Sequence, residues 1–329
     1  MSRLSTLPRP SGVVAGVRAV ARRYATERRY DRLAEINRLD PDIDYEEIAR
    51  LHATLEFPWD TQQALSFALF RTYAVPTVGH LLYETGEFTE RVQKRYDDTG
   101  LLLDEVLQSG LSSVDGRNAV RRINQMHKAY DISNEDFLYV LATFVVTPVR
   151  WLERFGWRPV SEVEVRAGTN YYRALGRHMN ISGIPGDYDG FAELLDTYEA
   201  ENFAFDEGAR KVGDATLELM TTFVPFSWLP APVVRRFAYA LMDEHLLDAF
   251  RYPHPHRWER MSATAGLRLR ATVVRLLPVR TERVRQVDSS TMRSYPQGFS
   301  IDELGTFPRG CPVAHSGAGV PTPDHAHVG

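Results

Sequence analysis

Cysteine is almost absent from this chain: of 329 residues one is cysteine, Cys311. A single thiol excludes an intramolecular disulfide framework and any cysteine-bound metal cluster, and it is consistent with a reducing cytoplasm. Long apolar runs are missing as well. The most apolar early stretch, Gly12 to Ala21, is interrupted by Arg18 and followed by Arg22-Arg23, so it is too short to span a bilayer and lacks a secretory cleavage pattern. The expectation is a soluble, cytoplasmic protein with no transmembrane segment. Its basic early stretch should form a helix that packs on its own domain or makes weak peripheral contact with a membrane. A dominant charge sign is also lacking, since 39 Lys and Arg stand against 43 Asp and Glu, and the basic residues are interleaved with acids. Nucleic acid is therefore not an expected partner. No glycine-rich dinucleotide fingerprint, phosphate-binding Gly-Lys-Ser/Thr loop, Gly-x-Ser-x-Gly elbow or His-Glu-x-x-His occurs.

What is present is helical periodicity. With 43% hydrophobic and 25% charged residues the chain has ample material for a core, and its punctuation is of the helix-capping kind. An apolar run from Gln63 to Leu82 is interrupted at Pro76, which predicts two helices or one kinked helix. Ser133-Asn-Glu-Asp136 reads as a capping box opening a long helix through Pro148, and Ser161 opens another. Further helices are expected over Val233 to Phe250 and Ser262 to Arg285. The reading is an all-α protein with one large helical domain: residues 1–54 as a helical extension, 55–285 as the catalytic domain and 286–329 as an irregular, disordered tail.

In the segment Arg117 to Tyr130, Val120, Ile123, His127 and Tyr130 recur at helical spacing and place one imidazole within an apolar stripe. A lone histidine there is commonly a hydrogen-bonded core residue; the functional reading makes His127 a metal ligand, with Asn124 near the ring and Arg117, Arg121 and Arg122 as partners for anionic groups. On an earlier helix Arg95 and Thr99 share a face one turn apart, with Asp98 beside them. They read either as a polar helix end or as donors to bound dioxygen. A di-iron bundle is disfavoured because no histidine has a glutamate three positions before it. His254 with His256 and His325 with His327 lack enough neighbouring ligands to form a metal site.

Ala68-Leu-Phe-Arg-Thr-Tyr-Ala-Val-Pro76, Lys94-Arg-Tyr-Asp-Asp-Thr99, the His127 helix and Leu138 to Trp151 occur in an order that resembles the MpaB and rubber-oxygenase (latex-clearing protein) catalytic-domain family. The likeness covers roughly residues 55 to 255. It implies a globin-like all-α core, haem b as cofactor with His127 as proximal iron ligand, and dioxygen-dependent cleavage of a carbon–carbon double bond. The substrate would be a hydrophobic, isoprenoid alkene in a channel lined by Phe137, Tyr139 and Phe144. Arg95 and Thr99 match the family's distal Arg-x-x-Lys-Thr element, in which Asp98 here replaces the lysine, and Arg121 and Arg122 would meet the haem propionates. Two alternatives stay open: a helical binding or scaffold protein that has lost haem chemistry, and a haem sensor or peroxidase-like protein.

Overall fold

The structure, a computed structural model, describes residues 29–305. The stretch from Gly12 to Ala21 with its expected membrane contact, the tail beyond residue 305, Cys311, His325 and His327 lie outside the described residues. Among the described residues there is no β-strand, and no helix is long and apolar enough to cross a membrane.

Fourteen α-helices follow in order: α1 (Asp31–Ile36), α2 (Tyr45–Leu51), α3 (Pro58–Thr72), α4 (Pro76–Glu84), α5 (Glu87–Glu90), α6 (Val92–Ser109), α7 (Val114–His127), α8 (Asn134–Phe155), α9 (Glu162–His178), α10 (Tyr188–Asn202), α11 (Glu207–Thr221), α12 (Ala231–Leu241), α13 (Glu244–Phe250) and α14 (Arg257–Leu276). A π-helical turn, His52–Glu56, joins α2 to α3. Pro76 divides α3 from α4, as the sequence predicts, because the residue before a proline is pushed out of the helical region; Val75 is extended at φ −85° and ψ 115°. Ser133 accepts a hydrogen bond from the Asp136 N–H at 3.0 Å and starts α8, which then runs through Pro148 to Phe155. Ser161 and Glu164 complete a reciprocal capping box on α9.

Helix α8 is the central element. It packs along α3 and α10 and buries Tyr139, Leu141, Ala142, Val145 and Val146 on successive turns. Removing each of Leu141, Val145 and Val146 from water contributes roughly 1.5–3 kcal/mol. Helices α4 and α11 touch closely at glycine. A Cβ on Gly79 would lie 2.2 Å from the Tyr73 carbonyl oxygen and 2.5 Å from the Ala209 Cβ, so only glycine lets these backbones meet.

Three expectations need correction. The helix expected over Ser262 to Arg285 is α14, Arg257–Leu276: His256 and Glu259 cap its start and Leu277 is extended. The helix expected over Val233 to Phe250 is two helices, because Met242 is extended and the Asp243 carboxylate caps the Leu246 N–H at 2.9 Å. Residues 286–305 are irregular, as expected, yet they are docked. The Asp97 carboxylate accepts from the backbone N–H of Arg293 (3.0 Å) and Ser294 (2.9 Å) and from the Ser294 hydroxyl (2.6 Å). Arg122 Nε donates to the Leu304 carbonyl at 2.8 Å, and the Leu304 side chain is fully buried. This strap lies over α6 and α7 with backbone polar groups paired to side chains, which is how an irregular segment can be buried without loss of hydrogen bonds.

Candidate active site

The His127 ring sits at the C-terminal end of α7, in the wall of a cavity of about 410 Å³. Helix α8 supplies Phe137, Val140, Leu141 and Phe144 to that wall, at the spacing of one helical face. Helix α4 supplies Val78, Leu81 and Leu82, while α6 contributes Arg95, Thr99, Leu102 and Leu103. The cavity is thus apolar apart from a few placed polar groups, the usual character of a small-molecule or cofactor site.

His127 Nδ1 is buried with no hydrogen-bond partner, and the ring meets Phe137 edge-on with centroids 5.3 Å apart. Burial, and secondarily the positive charge of Arg95, lower the imidazole pKa from 6.5 to about 4. The ring is therefore neutral at pH 7 and keeps a lone pair for coordination. Arg95 donates to the Thr99 hydroxyl, which in turn donates to the Arg95 carbonyl at 2.9 Å. The Arg95 guanidinium lies over the Phe88 ring at 5.2 Å and has no carboxylate partner among the described residues. Burial pushes the neighbouring Tyr73 phenol up to about 12, so it stays protonated.

Arg95 and Thr99 also belong to the wall of a second chamber, about 390 Å³, which shares Leu69, Tyr73, Phe88, Leu103 and Phe144 with the first. The second chamber extends past Trp59, Tyr96 and Tyr172 to His52, Glu164 and Arg280. Nothing in the local sequence around His52 signals this chamber, because its wall is assembled from segments more than a hundred residues apart.

The structure brings His127, Arg95 and Thr99 to one cavity and places the other expected residues elsewhere. Asp98, though adjacent to Thr99, points about 100° further round α6. It is buried away from both chambers, pairs with Lys94 at 2.7 Å and accepts from the Tyr295 hydroxyl. Arg121 is exposed and bonded to Asn118 at 2.7 Å, Arg122 holds the strap, and Arg117 bonds to the Ser112 carbonyl. None of the three lines the cavity. Asn124 donates to the His178 carbonyl at 2.9 Å, not to the His127 ring. Phe137 and Phe144 line the channel as expected, but Tyr139, two residues from Phe137, faces the opposite side and bonds Glu199 at 3.1 Å. Sequence reasoning missed Asp136 in the first cavity wall, where its carboxylate is already engaged by Thr77, Ser133 and Tyr198, each at 2.9 Å. Its only signal was the cap position of Ser133.

Fold and site together define an all-helical protein with a neutral histidine, its Nδ1 buried, and a guanidinium–hydroxyl pair lining one apolar cavity. Residues 59–276 match the family described as ER-bound oxygenase mpaB/B'/Rubber oxygenase, catalytic domain, and the chain belongs to that family. It is 33% identical over 221 residues to the ER-bound oxygenase mpaB' of Penicillium brevicompactum, covering 62% of this chain and 52% of that protein. It is 34% identical over 224 residues to the ER-bound oxygenase mpaB of Penicillium roqueforti (strain FM164), covering 63% of this chain and 74% of that one. The chain thus spans about half the length of the first relative. The solved structure of latex clearing protein LCP in the closed state superposes with a TM-score of 0.54 at 14% identity, over 73% of this chain and 69% of that one. At that identity the likeness is one of fold.

Proposed function

We propose that the protein is a haem b-dependent oxygenase that uses dioxygen to cleave a carbon–carbon double bond in a hydrophobic, isoprenoid alkene. Membership of an oxygenase family supports the reaction class. The observation that carries the cofactor is the buried, unpartnered Nδ1 of a His127 ring kept neutral at physiological pH. An orphaned buried nitrogen is costly unless a ligand satisfies it. Among the described residues no group of three or more His, Cys, Asp or Glu side chains is placed to hold a metal ion directly. A single protein ligand in an apolar pocket suits iron already held by a porphyrin.

Bound there, haem b would supply the redox chemistry that activates dioxygen. The chain's own residues do the rest. His127 binds through its neutral imidazole. Arg95, held by the Thr99 hydroxyl, offers its remaining guanidinium donors in a site shielded from water, where a fixed donor is worth far more than in solution. Phe137, Phe144 and the leucines of α4 and α6 exclude water and present an apolar surface to the alkene. Arg121 and Arg122 do not fit as propionate anchors, since neither reaches the cavity. Asp98 is turned away from it, so the exchange of a family lysine for an acid does not place an anion opposite His127.

An absorption spectrum of the purified chain, oxidised and reduced, with a pyridine haemochrome assay on the native protein and on His127→Ala, tests this reading. A stoichiometric b-type haem that disappears with His127 is expected. A colourless native protein from haem-supplemented cells, or a spectrum indifferent to His127→Ala, would sink it.

A further inference from the structure

The second chamber ends in a group of charges that the proposed oxygenase chemistry does not use. The π-helical turn after α2 carries His52 and Glu56, and α9 brings Glu164 opposite them. Arg158, with a fully buried side chain, holds both acids: it bonds Glu56 through Nε (2.9 Å) and Nη2 (2.8 Å), and Glu164 through Nη1 (2.7 Å) and Nη2 (2.8 Å). His52 Nδ1 lies 2.9 Å from the Glu164 carboxylate, while its Nε2 has no protein partner among the described residues. Burial opposes ionisation of Glu164, but the hydrogen bonds from Arg158 and His52 outweigh it and hold the acid well below its ordinary value. Glu164 is therefore ionised, and both carboxylates are already engaged by Arg158.

The surrounding cations are only partly so. Arg29 stacks on Trp157 at 4.0 Å and leaves a buried Nε without a partner. Arg32 stands 3.7 Å from Glu56, too far for a hydrogen bond, and leaves a buried Nη1 unpartnered. Arg280, in the chamber wall, is exposed and has no ion pair among the described residues. Four guanidiniums that feel one another thus surround two carboxylates, and the burial of Arg29 beside Arg158, Arg32 and Arg280 lowers its pKa. Asp104 also borders the chamber, but it accepts from Gln108 and from the Gln286 N–H. Arg29 and Arg32 are not part of the chamber wall, which Arg280 and His52 form at this end, but the four guanidiniums outnumber the two carboxylates and so favour an anion there.

We propose that the second chamber binds an amphiphilic molecule whose anionic end, a carboxylate or a phosphate, is met by Arg280 and His52, and whose hydrocarbon runs along Trp59, Tyr96 and Leu103 to Arg95 and Thr99. The proposal rests on the oxygenase reading only in taking that hydrocarbon as the substrate's reactive part. It narrows the substrate class from a bare alkene to one with an acidic end.

The full chain titrated with geranic acid, geranyl phosphate and geraniol, read by quenching of its tryptophan fluorescence, tests this directly. The anionic probes should bind about tenfold more tightly than the alcohol, one charge-assisted contact being worth that much. That advantage should shrink as salt is raised. Arg280→Glu, an exposed and fold-neutral change, should weaken the better anion about tenfold and leave geraniol unchanged; the better of the two anions identifies the head group. Equal binding of acid, phosphate and alcohol, or a preference that survives Arg280→Glu, would overturn the proposal. His127→Ala should leave all three affinities as they are, so a failure of the haem reading would appear as a colourless protein that still selects the anion.

Discussion

The Arg95 guanidinium, one turn before Thr99 on α6, acts on the His127 ring at the end of α7: after burial, its charge is what holds the imidazole neutral. An arginine without a carboxylate partner and a histidine whose Nδ1 has no hydrogen-bond partner line one cavity. The oxygenase reading proposed above accounts for both with a ligand between them.

The titration of His127 has a definite sign. Above pH 6.5 the ring is neutral folded and unfolded. Between 6.5 and about 4 the unfolded chain takes up a proton that the folded chain refuses, so stability falls with pH, by up to about 3 kcal/mol, and levels off below. Urea unfolding of the haem-free chain at pH 7 and pH 4.5 should show that loss, and His127→Leu should show a smaller one.

Arg95→Ala should leave haem binding intact and lower turnover by about 10²–10³-fold, the usual effect of losing one preorganised donor. It should also raise the His127 pKa, because the second cause of its depression is removed. The spectrum, single-turnover kinetics and NMR titration of the ring check the three parts separately.

Asp98→Asn separates two readings of that residue. The carboxylate pairs with Lys94 and Tyr295 and does not reach the cavity. Asp98 is buried but Lys94 is partly exposed, so weakening the pair costs about 1–2 kcal/mol. Faster hydrogen exchange in residues 286–305 with an unchanged haem spectrum is the expected result; a shifted spectrum with normal exchange would place Asp98 at the distal side after all.

Gly79→Ala should destabilise the fold by about 1–3 kcal/mol, because its Cβ would overlap the Tyr73 carbonyl oxygen and Ala209. Tyr73 lines both chambers, so weaker ligand binding should accompany the lowered urea midpoint.

Local interactions were legible in the sequence because they act within a few residues. The serine caps of α8 and α9, the proline break at Pro76 and the apolar stripe carrying His127 depend on one helical turn of chain and appeared where spacing put them. The break at Asp243 was hidden because an acid between two apolar runs reads as a solvated helix position; here it caps α13 and pairs with Arg71, a residue 172 positions earlier. The strap was hidden for a related reason. Residues 286–305 have little periodicity, and what docks them is Asp97, Asp98 and Arg122, whose charges looked like a polar helix end and a cofactor clamp.

The sequence by itself determined the all-helical class, the serine-capped helix starts and the pairing of Arg95 with Thr99 on one face, since each follows from backbone sterics and the 3.6-residue period. Only the tertiary structure decided which charged side chains turn inward. A rotation of about 100° separates Thr99 in the cavity wall from Asp98 under the strap, and a charge finds its partner across space rather than along the chain. That is why His127 and Arg95 came to share a cavity while Arg121 and Arg122 went to solvent and strap.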